Sequence, residues 1–403
     1  MRLFCFHHAG SSALMYNQLK INGMIIHPIQ LNGRDNNKKP YFNSCIEAAN
    51  SIYTEIEPHL SKPYMFFAHS MGTWIAYSVL CKIIKMNQPL PIKFIISAFC
   101  HPFIPEEDAP WIPNTELDDN DFKEEVKRWG GNKQLLEEPY WSIFKSRLRA
   151  DFSLFDTDQS FTKVKTSCKF LAILPINDLR IKEHMMLGWA ELTNDFEIQK
   201  IEGDHFYLIN DINIIKKFIC KKILCLHGHR TNSNIMRKQL ETHINLMPYN
   251  EFNIIDAPNS SNGETYPEIK IFFCTEKIFY EWYNYDPIND ISNGLDNSMK
   301  LLEENVSNYD VVIGFSQGAS IVSMLAEKGL VKKAILICHG RYLPKIPIKT
   351  ESLHLIGLKD EYIQCGTNAL ELYSNKEVHY FDDIHKIPLD NVSVGKIERF
   401  IMG

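Results

Sequence analysis

No stretch of this 403-residue sequence reaches the ~18 uninterrupted apolar residues of a membrane span, and the opening MRLFCFHHAG is too short an apolar segment for a signal-peptide core. No membrane partner is expected, and the expected location is cytoplasmic. A basic stripe is also missing: 43 Lys and Arg and 49 Asp and Glu are spread along the chain and leave a net charge of −6, which argues against nucleic acid as a partner. The ten cysteines include no CxxC pair and mostly sit in apolar runs such as ILCLHG. Reduced core thiols are expected, with neither disulfides nor a metal centre.

What is present is a globular composition, 45% hydrophobic and 23% charged, in a chain comfortable for two domains. Residues 2–19, RLFCFHHAGSSALMYNQL, begin as a short apolar run, break at Gly and Ser and turn helical, and residues 221–240, KKILCLHGHRTNSNIMRKQL, repeat that order. Both read as buried strand, loop and helix. Further apolar runs follow, MIIHPIQL, YMFFAH, KFIISAFC and KFLAIL in one half and FNIIDAP, DVVIGF, KAILICHG and LHLIGL in the other, separated by amphipathic helical stretches. That alternation predicts mainly parallel sheets covered on both faces. Two α/β domains are expected, 1–219 and 220–403. The first carries an inserted helical cap at about 101–165, and the second a long irregular stretch at 256–294. The aromatic run FFCTEKIFYEWYNY at 272–285 is expected to wall an apolar pocket.

Two serines stand where a strand should turn into a helix, Ser70 in FFAHSMGTW and Ser316 in VIGFSQGAS, 246 residues apart. A serine hydroxyl is a weak nucleophile unless a base takes its proton and the backbone presents it, and in the α/β-hydrolase elbow small residues at −2 and +2 let strand and helix pass closely. Gly314 and Gly318 meet that need fully, and Ala68 and Gly72 meet it with alanine in the first place. The elbow also requires an acid after a late strand and a histidine after the last one. FLAILPINDLRI supplies Asp178 and FEIQKIEGDHFYLI supplies His205; LHLIGLKDEYI supplies Asp360 and EVHYFDDIHKIPL supplies His385. The acid-to-base spacings are 27 and 25 residues, so the two halves agree in order and spacing. The expected fold is therefore a tandem of two α/β-hydrolase folds.

His379 competes with His385 but belongs to a strand run; Asp204 adjoins His205, and Asp382 and Asp383 read as solvated loop charges. An oxyanion hole needs two backbone N–H donors, one from the residue after the serine and one from the loop after the first strand. These are expected at Met71 and Ala9 in the first half and at Gln317 and His229 in the second. His7, His8, His227 and His229 could be read as metal ligands, but on tight loops without carboxylate partners they read as structural.

The first half resembles the type II thioesterases that accompany polyketide, non-ribosomal peptide and fatty-acid synthases, through LFCFHHAGSSALMY, IQLNGRD, YMFFAHSMG, DFKEEVKRWGG, LRADFSLFD and EGDHFYL. It departs from that pattern at His7, Ser11, Ala68 and LPIND. The second half is similar to the fungal-type serine hydrolases that include an ovarian-tumour-suppressor-like hydrolase and polyketide-releasing thioesterases, through ILCLHGHRTNSNIMRKQ, IIDAP, YEWYNYD, NGLDNSMKLLEENV and DVVIGFSQGAS. Its DDIHKIP replaces a more glycine-rich loop. Both resemblances imply a serine thioesterase that releases acyl chains from phosphopantetheine on an acyl carrier protein domain of a polyketide, fatty-acid or non-ribosomal peptide synthase. No cofactor or metal is implied, because the phosphopantetheine arm belongs to the substrate. The alternatives are a general carboxylesterase, or one active half beside a catalytically silent binding half.

Overall fold

The computed structural model describes residues 1–156, 161–261, 263–286, 288, 291–341 and 345–402, and the chain divides into two compact units, Met1–Phe218 and Ile219–Gly403. In the first, strands β1 (Arg2–Phe6), β2 (Ile25–Pro28), β3 (Tyr64–His69), β4 (Lys93–Ser97), β5 (Lys169–Pro175) and β6 (Phe196–Ile201) form one sheet in the order β2-β1-β3-β4-β5-β6, with every pair parallel. YMFFAH is buried at all six positions, as expected for a central parallel strand covered on both faces. Helices α1 (Cys45–Ile56), α2 (Gly72–Lys85), α3 (Asp119–Arg128), α4 (Tyr140–Asp156), α5 (Glu183–Leu187), α6 (Tyr207–Asn210) and α7 (Lys216–Ile219) complete this half of the chain. The Ser44 side chain starts α1 by accepting from the N–H of Glu47, while the Glu47 carboxylate accepts from the N–H of Asn43. Between β4 and β5 the described residues form α3, α4 and short 3-10 turns and no strand.

The core of this unit is aromatic. Phe4, Phe66, Phe94, Phe170 and Trp189 are wholly buried and meet edge to face, Phe66 against Phe94 at 6.1 Å and Phe94 against Phe170 at 5.3 Å. Each such pair adds about 0.5–1.5 kcal/mol to the burial itself. The Trp189 indole N–H donates to the carbonyl of Phe99, so the largest ring leaves no orphaned donor.

The second unit repeats the sheet. Strands β7 (Lys222–Leu226), β8 (Glu251–Ile255), β9 (Asn259–Ser260), β10 (Tyr280–Glu281), β11 (Asn284–Asp286), β12 (Ile291–Asn293), β13 (Val311–Phe315), β14 (Lys333–Ile337), β15 (Glu351–Gly357) and β16 (Lys376–Phe381) include six that run parallel in the order β8-β7-β13-β14-β15-β16. This is the strand order of the first unit. Helices α8 (Ser233–Gln239), α9 (Glu241–Leu246), α10 (Pro267–Phe272), α11 (Leu295–Glu303), α12 (Gln317–Glu327), α13 (Ile363–Leu370) and α14 (Asn391–Met402) accompany it. Both units are α/β-hydrolase folds.

The stretch read as irregular contains two small antiparallel pairs, β9 with β10 and β11 with β12. The aromatic run within it does not act as a single pocket wall: Trp282 is wholly buried and donates its indole N–H to the carbonyl of His227, whereas Phe272 is 80% exposed. Among the described residues no helix is long and apolar enough to cross a membrane.

Candidate active sites

In the first unit β3 breaks into α2 at Ser70, whose φ of 54° turns the side chain out of the strand direction. Its N–H donates to the carbonyl of Ser97 at 2.9 Å, and its carbonyl accepts from Thr73, which fixes the turn. A side chain at Gly72 would place its Cβ 2.7 Å from the carbonyl oxygen of His7, so only glycine lets α2 start against the end of β1. The Ser70 hydroxyl lies 2.9 Å from Nε2 of His205, and Nδ1 of His205 lies 2.7 Å from Oδ2 of Asp178. The other carboxylate oxygen accepts from the N–H groups of Arg180 and Ile181 at 2.9 and 3.0 Å. Burial alone pushes the Asp178 carboxyl up, but the hydrogen bond and charge of His205 and those two N–H groups outweigh it, and its pKa falls below the ordinary value. The unit therefore brings together the three residues named from its sequence.

Neighbouring imidazoles stay neutral. Burial drives His8 down to about 4, and burial with the His205 charge lowers His69 well below the usual value. Ala9 lies in the loop after β1 and Met71 at the head of α2, and among the described residues no protein acceptor pairs with either N–H. The cap closes over this site. Trp129 packs edge to face on His205, with ring centroids 5.0 Å apart, and its indole N–H donates to the buried carboxylate of Glu125. Glu125 in turn accepts from Arg180 at 2.5 Å, next to the acid loop.

The second unit presents Ser316 between β13 and α12 at φ 53° and ψ −115°. Gly314 and Gly318 are both required: a Cβ on the first would fall 2.5 Å from the Gly318 carbonyl oxygen, and one on the second 2.1 Å from that of Leu226. The Ser316 hydroxyl is 2.9 Å from Nε2 of His385, whose Nδ1 is 2.9 Å from both oxygens of Asp360. Burial again raises the Asp360 carboxyl, while His385 and the N–H of Tyr362 pull it to a net lowering. This site is less covered: the His385 side chain is 22% exposed against 5% for His205. Gln317 opens α12, and among the described residues no protein acceptor pairs with its N–H or with that of His229 in the loop after β7. The Gln317 side chain accepts from Trp282 N–H and donates to the Tyr283 carbonyl, which ties the elbow to the stretch after β10.

The competing residues lie elsewhere. His379 sits on β16 and bonds to Ser393; Asp204 accepts from the N–H of Phe206; Asp382 and Asp383 pair with Lys359 and Lys386. Nδ1 of both His7 and His227 bonds to the next carbonyl, a structural use of the ring. His229, read from the sequence as lacking a carboxylate partner, has one: Glu281 reaches its Nε2 at 3.2 Å across 52 residues of chain. Among the described residues only Cys338, Asp360 and His385 could gather round a metal ion, and the last two are already paired with each other. Arg34, Glu125, Asp151, Arg180 and Glu281 were missed as site residues, although GRD and LRAD are among the segments that carry the first resemblance.

Residues 1–223 match the thioesterase domain family model and residues 217–397 the serine hydrolase (FSH1) model. The chain is 27% identical to the gramicidin S biosynthesis protein GrsT of Aneurinibacillus migulanus over 233 residues, 55% of this chain and 89% of that protein. It is 28% identical over 234 residues to the medium-chain S-acyl fatty acid synthase thioesterase of Rattus norvegicus, 55% of this chain and 87% of that protein. The RedJ thioesterase of prodiginine biosynthesis in Streptomyces coelicolor is similar at 23% identity and a TM-score of 0.49, over 54% of this chain and 87% of that one. The chain thus belongs to the thioesterase family through residues 1–223, its second half matches the FSH1 serine hydrolase model, and it is a serine hydrolase of thioesterase type.

Proposed function

We propose that the two units, divided near residue 219, are separate domains of one tandem enzyme that hydrolyses acyl thioesters held on carrier-protein phosphopantetheine in polyketide, peptide or fatty-acid synthesis. Ser70 and Ser316 are the nucleophiles, His205 and His385 the bases, and Asp178 and Asp360 the orienting acids. In each unit the imidazole takes the serine proton as the hydroxyl oxygen attacks the thioester carbonyl. The N–H groups of Ala9 and Met71, or of His229 and Gln317, receive the charge that develops on the carbonyl oxygen. As the intermediate collapses the C–S bond breaks, the imidazolium protonates the departing pantetheine thiolate, and the acyl group stays on the serine as an ester that water, activated by the same imidazole, hydrolyses to the free acid. No cofactor enters these steps, and the setting is the cytoplasm.

The observation that carries the proposal is the pair of unbroken Ser–His–Asp hydrogen-bond chains, each link between 2.7 and 2.9 Å. Relatives named for a fatty-acid synthase thioesterase and for gramicidin S biosynthesis favour carrier-bound substrates. The more exposed His385 also favours a second reading for that unit alone, a carboxylesterase acting on free esters. A fluorophosphonate probe and an acyl-carrier substrate given to Ser70→Ala, Ser316→Ala and the double variant test both. Each single variant should lose one labelled serine and keep part of the thioester hydrolysis. A Ser70→Ala variant that cleaves free esters but no carrier thioester selects the esterase reading for the second unit.

A further inference from the structure

The fourth residue after the first strand of each unit has left-handed backbone, Gly10 at φ 78° and Arg230 at φ 52°. Each follows directly on the proposed oxyanion donor, Ala9 or His229. A loop in that conformation has no ladder to hold it, and the donor must point at the oxyanion before the reaction starts. In the first unit the holding group comes from the cap. Asp151, on α4 and 1% exposed, accepts from the N–H of Gly10 at 2.7 Å through Oδ2. Arg34 reaches the same carboxylate with both terminal nitrogens, at 3.0 and 2.6 Å, and donates to the carbonyl of Ser11 at 2.8 Å.

Two opposite charges this deeply buried are an expensive way to join a helix to a loop, since apolar residues of similar volume would serve stability as well. What an apolar pair cannot do is accept the Gly10 N–H and fix the Ser11 carbonyl together. The second unit uses another carboxylate for the corresponding loop. Glu281, on β10 and 3% exposed, approaches Nε2 of His229 at 3.2 Å and Nε of Arg230 at 3.8 Å. Thr265 donates to the Arg230 carbonyl at 2.6 Å and Tyr266 meets Nδ1 of His229 at 3.0 Å. In both units the carboxylate comes from the segment that differs most between them, the cap in one and the 256–294 stretch in the other.

We propose that Asp151 and Glu281 are positioning residues of the two sites, each holding the loop that delivers the second oxyanion donor, so that each site is complete only when its variable segment is docked. The inference rests on the proposed assignment of Ala9 and His229. For the first unit the test is made in full-length Ser316→Ala protein with the double change Arg34→Met and Asp151→Leu, which buries no charge and should fold. For the second it is Glu281→Gln in Ser70→Ala. The readouts are kcat and KM for a carrier thioester, the melting temperature, and inhibition by an alkyl trifluoromethyl ketone, which forms an oxyanion adduct on the serine.

The expected result is a fall in kcat approaching the order of 10²-fold that loss of one oxyanion donor produces, with KM little changed. Affinity for the ketone should fall by a matching factor. If the first double variant does not fold, Asp151→Asn takes its place: it keeps an acceptor for Gly10 but loses the ion pair, and should lose less kcat and less ketone affinity. Folded variants with parental kcat and parental ketone affinity overturn the proposal. A parent with no serine-dependent hydrolysis at all overturns the thioesterase reading instead, so the two failures are distinct.

Discussion

The indole of Trp129 stands on the imidazole of His205 at an interplanar angle of 63°, placing a residue just beyond the end of α3 directly over the proposed catalytic base. The Arg180 guanidinium lies 5.2 Å from the centre of the same indole and pairs with Glu125, so ring, cation and carboxylate hold the cap shut over the acid loop.

Opening that closure should alter access before it alters chemistry. In a Ser316→Ala background, Trp129→Ala is expected to raise the rate at which a bulky fluorophosphonate labels Ser70, relative to a small one, by several-fold. Glu125→Leu leaves the partly exposed Arg180 without its carboxylate and should loosen cap docking, seen as faster proteolysis within 119–156. An unchanged ratio of labelling rates together with an unchanged cleavage pattern would mean that the cap does not gate the site.

The two triads should fail independently. His205→Ala with Ser316→Ala should lose on the order of 10⁶-fold in kcat and keep a residual rate about 10³- to 10⁴-fold above water from the oxyanion hole and binding. His385→Ala with Ser70→Ala should behave likewise, whereas His379→Ala in that background should leave kcat near its parent value. Near-normal hydrolysis after His205→Ala would remove that residue from the mechanism.

Stability should fall with acidification well above the carboxylate range. Burial lowers His227 and His339 to about 4 and, with help from the charges of His339 and Lys376, His354 to about 3. The unfolded chain takes up these protons near pH 6.5, so between pH 6.5 and 4 it binds more protons than the folded unit, and stability drops as pH falls. For His339 the loss reaches roughly 3 kcal/mol by pH 4. The depressed carboxyls of Asp178 and Asp360 act in the other window: their contribution holds above an unfolded pKa near 4 and is lost only as pH falls further. His339→Asn should flatten the melting-temperature profile between pH 6.5 and 4; a slope identical to wild type would put the acid sensitivity elsewhere.

Chain-length preference should differ between the units. The first site is sealed by a helical cap of the kind that admits a flexible arm, which suits short acyl groups and the removal of stalled units. In the second Asp360 follows Ser316 by only 44 positions, and its imidazole is more open, which suits a longer chain. Ser316→Ala should favour short acyl-carrier substrates and Ser70→Ala long ones. Superimposable chain-length profiles would remove this division of labour.

What could be read in the sequence was whatever depends on short-range pattern. Strand, small residue, serine, small residue and helix is a local signal, and residues just past two late strands must lie near the same edge of a parallel sheet. That is why Ser70, Asp178 and His205 could be named together although 135 residues separate the first from the last. His385 could be preferred to His379 because a side chain within a strand run is directed onto a sheet face. Asp151 offered no such signal. A charged residue in a helical stretch normally reads as solvent-facing, and its partners, Gly10 and Arg34, lie 141 and 117 residues away. Trp282 misled in the opposite sense: an aromatic-rich stretch suggests a pocket wall, but its indole N–H found a buried carbonyl and the ring joined the core. The two-residue strands β9 and β10 were invisible because Asn259, Ser260 and Glu281 have no apolar alternation to reveal them.

Both nucleophile turns hold a serine where glycine would sit more easily, at φ 54° and 53°. A strained backbone of this kind costs on the order of 1–3 kcal/mol, so Ser70→Gly and Ser316→Gly should each melt higher than the matching Ser→Ala variant, which keeps the Cβ. Each elbow is therefore a place where the chain would gain stability by giving up the side chain that carries its hydroxyl. A unit that only docked a partner would have nothing to set against that gain, and its turn could relax to glycine at no loss to the fold.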